Sequence, residues 1–229
     1  MTPIRDRLEA VRTRIHELAE RHGRDPAGIT LLAVSKTQPV EALREALACG
    51  QLAFGENYAQ ELADKAAELA HAAPQWHFIG PLQANKTRLI AGIARWVHSI
   101  DREKIARRLG EQRPDTLGPI QVCLQVNLDA EDSKSGVAPQ ALPALAEAVA
   151  MQQGLELRGL MAIPAPGKDF DQQRQAFARL RALKDELMAR GHPLDTLSMG
   201  MSADMEAAIA EGATIVRVGT AIFGERRRT

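Results

Sequence analysis

Cysteine is scarce in this sequence: Cys49 and Cys123 are the only two, with no CxxC spacing. That excludes a disulfide framework and a cysteine-rich zinc site. The histidines (His16, His22, His71, His77, His98 and His192) show no HExxH or other ligand spacing, so no metal site is expected. Aromatics are few as well, five Phe, two Trp and one Tyr, which leaves little material for stacking nucleobases. Neither sign of charge is in excess, since 29 Lys and Arg stand against 29 Asp and Glu. A nucleic-acid binder carries a basic surplus to match phosphate, so that class is set aside. No apolar run approaches the length that spans a bilayer. The opening Met1-Thr2-Pro3-Ile4-Arg5-Asp6 lacks the apolar centre of a signal peptide. Together these absences predict a soluble, cytoplasmic protein.

What is present is a regular rhythm. The 229 residues are 45% hydrophobic, enough to bury a sizeable core without staples. Ile4, Leu8, Val11, Ile15 and Leu18 recur at helical spacing, with Thr2 as a cap and Pro3 suited to the first helical position. Gly23 and Asp25-Pro26 end that helix. Short apolar runs then alternate with amphipathic stretches. The runs are Thr30 to Val34, Leu52 to Phe54, Trp76 to Ile79, Trp96 to Ile100, Ile120 to Val126, Leu155 to Ile163, Thr196 to Met199 and Thr214 to Val218. Val40, Leu43 and Leu47 mark one helical face between them, and Phe177, Leu180, Leu183 and Leu187 another. Gly50, Gly110, Gly154, Gly191 and Gly212 fall where helices are expected to end. Eight strand–helix units predict an α/β fold, a (β/α)8 TIM barrel with an extra N-terminal helix; a doubly wound open sheet is the competing architecture. One domain over residues 1–229 is expected, with the barrel proper at about 29–225, since no linker or low-complexity segment interrupts the pattern.

A parallel barrel carries its chemistry at the C-terminal ends of its strands. The first run ends in Ser35-Lys36, the second in Gly55-Glu56-Asn57-Tyr58, the third in His77-Phe78-Ile79-Gly80-Pro81, the fifth in Asn127, the seventh in Ser198-Met199-Gly200-Met201-Ser202 and the eighth in Arg217-Val218-Gly219-Thr220. Ser202 precedes Ala203-Asp204-Met205-Glu206, which reads as a capped helix start, and Gly219-Thr220 places bare backbone beside a hydroxyl. The loops after strands seven and eight are where such barrels often hold phosphate, so the pair predicts a phosphate site. Lys36 is either an ordinary solvated lysine or, with a lowered pKa, a Schiff-base former. Arg217 either reaches solvent or faces a ligand, because burial without an acceptor is costly. His77 and His98 are expected to be satisfied core or rim histidines. Gly219 to Gly224 has the glycine spacing of a P-loop, but Glu225 stands where lysine is required. Lys134-Ser135-Gly136 fits a surface turn, and Arg226-Arg227-Arg228 a frayed end.

Taken in order, Ala33-Val34-Ser35-Lys36, Phe54-Gly55-Glu56-Asn57-Tyr58, His77-Phe78-Ile79-Gly80-Pro81-Leu82-Gln83-Ala84-Asn85-Lys86, Ser198-Met199-Gly200-Met201-Ser202 and Arg217 to Gly224 resemble the pyridoxal-phosphate homeostasis protein family, related to the barrel domain of alanine racemase. The resemblance spans residues 4 to 225. It implies that Lys36 holds pyridoxal 5′-phosphate (PLP) as a Schiff base and that Ser202, Gly219 and Thr220 bind its phosphate. It also implies that Arg217 faces the pyridine nitrogen with Ser198 supporting it, that Asn57 lines the cofactor, and that Lys134 lies near the open side. The activity implied is intracellular PLP homeostasis and amino-acid balance, with apo PLP-dependent enzymes as partners and no catalysis. The chain stops soon after the eighth run, so the C-terminal domain that brings a racemase its second base is not expected, and a monomer is. Weak racemase-type activity is the alternative, and a cofactor-free aldolase on a phosphosugar a second.

Overall fold

The computed structural model describes residues 3–129, 135–167 and 169–224. Eight parallel strands close into a barrel in sequence order, with β1 paired to both β2 and β8. They are β1 (Thr30–Val34), β2 (Ala53–Glu56), β3 (Gln75–Phe78), β4 (Trp96–Ile100), β5 (Ile120–Gln125), β6 (Leu155–Met161), β7 (Thr196–Ser198) and β8 (Ile215–Val218). Between and around them run α1 (Ile4–Arg21), α2 (Val40–Ala48), α3 (Ala59–Glu68), α4 (Thr87–Ala91), α5 (Glu103–Gln112), α6 (Leu142–Ala150), α7 (Phe170–Ala189), α8 (Met205–Ala210) and α9 (Thr220–Phe223). The open-sheet alternative is thereby excluded, because every strand has two strand neighbours. Among the described residues no helix is long and apolar enough to cross a membrane.

All eight apolar runs overlap a strand, but pairing sets the ends. β2 starts one residue later than the run at Leu52, and β6 stops at Met161, leaving Ile163 45% exposed beyond the barrel. A strand ends where its neighbours stop supplying ladder partners, and hydrophobicity alone does not mark that limit. Pro3 is the residue that caps α1, not its first helical residue, and Thr2 lies outside the described residues. Gly110 is a further correction. It sits inside α5 instead of ending it, and a Cβ on Gly154 would come within 2.5 Å of the Gly110 carbonyl oxygen. Both glycines serve close backbone packing there, so neither is a left-handed helix terminator.

The helix α1 occupies the place left open by the four-residue α9, packing against α2, α8 and α9. Its Leu8, Val11, Ile15 and Leu18 are buried at the predicted spacing. Each such side chain contributes on the order of 1.5–3 kcal/mol through removal from water. Inside the barrel, Leu32, Ala53 and Ile215 pack together near the N-terminal ends of β2 and β8. Alongside this apolar plug lies a layer of buried polar groups, and those groups position the site.

Candidate functional site

The strand order makes β7, β8, β1 and β2 contiguous around the barrel. Lys36, Asn57, Ser198, Ser202, Arg217, Gly219 and Thr220 all lie at or just beyond the C-terminal ends of these four strands. Lys36 is half-buried, two residues past the end of β1. Ser35, just before it, donates its backbone N–H to the Gly55 carbonyl of β2, which ties the start of the turn to the neighbouring strand. Asn57 follows β2 and is half-buried, with its Oδ1 buried and lacking a hydrogen-bond partner among the described residues. The β3 end presses against it, since a Cβ on Gly80 would fall 2.1 Å from the Asn57 carbonyl oxygen. Only glycine permits that approach.

Arg217 does not reach solvent. It is 4% exposed, yet it is not short of acceptors: Nη1 donates to Ser198 O at 2.6 Å and Ser198 Oγ at 2.9 Å, and Nη2 to Ala162 O at 2.9 Å. The two alternatives drawn from sequence omitted this third one, in which the barrel's own backbone receives the guanidinium. Burial lowers its pKa to about 10, so it stays charged at neutral pH. A guanidinium has five N–H donors, and two of them find no partner among the described residues.

Beyond Ser198 the hydrogen bonding continues across the barrel. Ser198 Oγ lies 2.7 Å from His98 Nδ1, and His98 Nε2 lies 2.9 Å from His77 Nδ1. Ser198 Oγ also accepts from Arg217 Nη1, so this one hydroxyl links the guanidinium to the pair of imidazoles. The chain ends at His77 Nε2, buried and without a partner among the described residues. Both histidines are core residues as expected, but His77 is satisfied at one nitrogen only. Burial pulls His77 down to about 3 and, joined by His77 and Arg217, holds His98 well below its ordinary value. Both rings are neutral, and Trp96 stacks on His77 at 5.6 Å with the planes 7° apart.

Ser202 is half-buried and does not cap a helix. It lies in a turn before α8, whose cap position is Asp204; the Asp204 carboxylate accepts the Met201 N–H at 2.6 Å. Gly200, at φ 91°, lets this loop fold onto α8, where a Cβ would lie 2.5 Å from that of Ala208. Gly219 comes between β8 and α9, and a Cβ there would meet the Val34 carbonyl oxygen at 3.2 Å, so bare backbone lies against the end of β1. Thr220 is exposed at the first position of α9. Neither the Ser202 nor the Thr220 hydroxyl bonds to another described residue, which leaves both for a ligand.

Lys134 and Arg226-Arg227-Arg228 lie outside the described residues. Sequence reasoning missed a cluster behind Lys36: Lys65 Nζ donates to Ser35 O and Glu56 Oε1, each at 2.7 Å, and Ser35 Oγ donates to Glu56 Oε1 at 2.6 Å. Desolvation raises the Glu56 pKa, while Lys65 and Ser35 act in the opposite direction. The one signal available was Glu61 and Lys65 at i, i+4 on the same helix.

Residues 7–227 match the family described as alanine racemase, N-terminal domain. The chain is 59% identical over 226 residues to the pyridoxal phosphate homeostasis protein of Pseudomonas aeruginosa, covering 99% of this chain and 97% of that one. It is 51% identical over 229 residues to the protein of the same name from Escherichia coli, at 99% and 98% coverage. PipY of Synechococcus elongatus, solved with PLP bound, superimposes with a TM-score of 0.85 at 38% identity, covering 96% of this chain and 100% of that one. Alanine racemase from Corynebacterium glutamicum shares the fold, with a TM-score of 0.66 at 21% identity; the match covers 97% of this chain and 62% of the racemase. A closed eight-stranded barrel, the N-terminal helix packed beside α2, α8 and α9, and a match over residues 7–227 lead to one conclusion: the chain belongs to the alanine racemase N-terminal domain family.

Proposed function

We propose that this chain binds PLP, holds it covalently through Lys36 and gives it up to other proteins, serving PLP homeostasis instead of turning substrates over. When bound, PLP supplies an aldehyde that condenses with a lysine amine with loss of water, a phosphate that needs donors, and a ring nitrogen. The residues fit such a group. Ser202 and Thr220 have uncommitted hydroxyls and Gly219 a bare backbone, suited to phosphate. Asn57 brings a buried oxygen without a partner.

The observation that carries the proposal is Arg217. Three of its N–H groups are spent on Ser198 and Ala162, which fix the guanidinium in place, and two remain for a ligand beside the Lys36 strand. A permanent cation meeting a ring nitrogen opposes a proton on that nitrogen, and an unprotonated ring is a poor electron sink. This disfavours carbanion chemistry and favours holding. Two-base proton transfer also needs a second base. The single tyrosine, Tyr58, is 58% exposed, while His77 and His98 are kept neutral inside a buried hydrogen-bond chain. The relatives named as pyridoxal phosphate homeostasis proteins, alike over nearly the whole chain, support the same assignment.

The test has two arms. Borohydride reduction of the PLP-loaded protein and peptide mapping should recover the pyridoxyl group on Lys36; recovery on another lysine refutes the attachment site. The loaded protein is then incubated with each amino acid, with chiral and keto-acid products followed, and in parallel with an apo PLP-dependent enzyme. Transfer without sustained product is expected. Multiple turnovers that vanish in Lys36→Ala would make the protein an enzyme.

A further inference from the structure

Lys36 sits in a turn whose shape its own sequence does not favour. The Gln38 N–H bonds the Ser35 carbonyl at 3.0 Å, and Thr37 has φ 62°. That is the pattern of a type II turn, whose third position calls for glycine or asparagine. Threonine, branched at Cβ, resists the left-handed region, so something outside the turn must hold it there. Glu61, on α3, accepts the Thr37 N–H at 2.5 Å. Its Oε1 also accepts from Lys65 Nζ at 2.7 Å, and the other two donors of that ammonium go to Ser35 O and Glu56 Oε1. One cluster therefore grips the main chain on both sides of Lys36, at the Ser35 carbonyl and at the Thr37 amide. Glu56 and Lys65 are almost wholly inaccessible, while the Glu61 side chain is 23% exposed.

Joining α3 to the barrel explains the Lys65–Glu56 pair but not the Thr37 contact. A glycine at position 37 would keep the turn with no help from Glu61. Threonine held there by a carboxylate is a backbone fixed in one shape against its preference, and such strain concentrates at functional positions.

We propose that Glu61, backed by Lys65 and Glu56, is a positioning residue that locks the Lys36 turn and so presents the Lys36 amine to the ligand's carbonyl carbon. This rests on the proposal that Lys36 carries PLP, the bond joining the lysine nitrogen to the aldehyde carbon while the carbonyl oxygen leaves as water. If the turn relaxes, the amine must be returned to place each time the bond forms. Covalent attachment then weakens, and docking of phosphate and ring on β7 and β8 does not.

Glu61→Ala separates these effects, because Lys65 keeps Glu56 as its counter-ion and the fold is retained. Binding is measured with PLP and with pyridoxine 5′-phosphate, which has an alcohol in place of the aldehyde and forms no bond to lysine. Glu61→Ala is expected to weaken PLP binding about tenfold, equivalent to ~1.4 kcal/mol, and to leave pyridoxine phosphate unchanged. Thr37→Gly added to Glu61→Ala should restore most of the loss. Equal weakening of both ligands, or no rescue by glycine in a protein with wild-type near-ultraviolet dichroism, would reduce the cluster to a fold support and overturn the inference. Lys36→Ala is the separate control: if it binds PLP as tightly as wild type, the attachment itself is wrong, whatever Glu61 does.

Discussion

Lowering the pH should unfold this protein through two histidines that no surface inspection reveals. His77 has an ordinary pKa of 6.5 and is brought to about 3 in the fold, because burial penalises the charged ring. His98 moves the same way, by burial first and then by the nearby His77 and Arg217. The sign follows from proton counting. Above the ordinary value both states hold the ring neutral, and the stability is fully present. Below it the unfolded chain binds a proton that the folded chain refuses, so stability falls until the pH passes the folded value. At pH 5 the proton that folded His77 refuses lowers stability by ~2 kcal/mol, a large share of what holds a typical domain together, and His98 acts in the same direction. Glu56, whose pKa is raised, works the other way as its folded form takes up a proton. A difference between variants removes that contribution. Urea unfolding from pH 7 to 4.5 would be followed for wild type and His77→Asn, which keeps polar atoms at the site but cannot titrate. The wild-type slope should exceed that of the variant by ~1.4 kcal/mol per pH unit below pH 6. Parallel curves would refute a buried neutral pair.

Four further outcomes are expected. Ser198→Ala removes an acceptor from Arg217 and strands His98 Nδ1, so urea unfolding should show a loss of about 3 kcal/mol, since a buried unmet partner and a bond to a charge each contribute ~1–3 kcal/mol. Ser202→Ala with Thr220→Ala should weaken PLP by roughly tenfold or more against pyridoxal in equilibrium dialysis, phosphate bonds being charge-assisted; equal weakening would put the phosphate elsewhere. Gly80→Ala would drive a methyl into the Asn57 backbone and should destabilise by about 3 kcal/mol or more. Gly28→Ala, with nothing within 4 Å, should leave the melting temperature almost unchanged.

Much of this protein is local information. The alternation of apolar runs with helical faces marks eight strands along the chain, since side-chain periodicity depends on neighbours a few residues away, while their closure into a barrel rests on the pairing of β1 with β8. Once a parallel barrel is implied, its strand ends point to Lys36, Ser202, Arg217, Gly219 and Thr220, because in such barrels those ends face the open mouth, whereas Asn57 and Ser198 are singled out only by the family resemblance. Tertiary structure decided the rest. Ser198 and His98 are a hundred residues apart, and their meeting depends on how strand tilt aligns β4 with β7 across the interior. Gly110 looked like a terminator because glycine serves both left-handed turns and close packing, and which role applies depends on whether another backbone arrives, here that of Gly154. The left-handed Thr37 had no sequence signal, since propensity argues against it. A carboxylate from α3, brought within hydrogen-bond reach by the pairing of β2 with β1, holds that conformation.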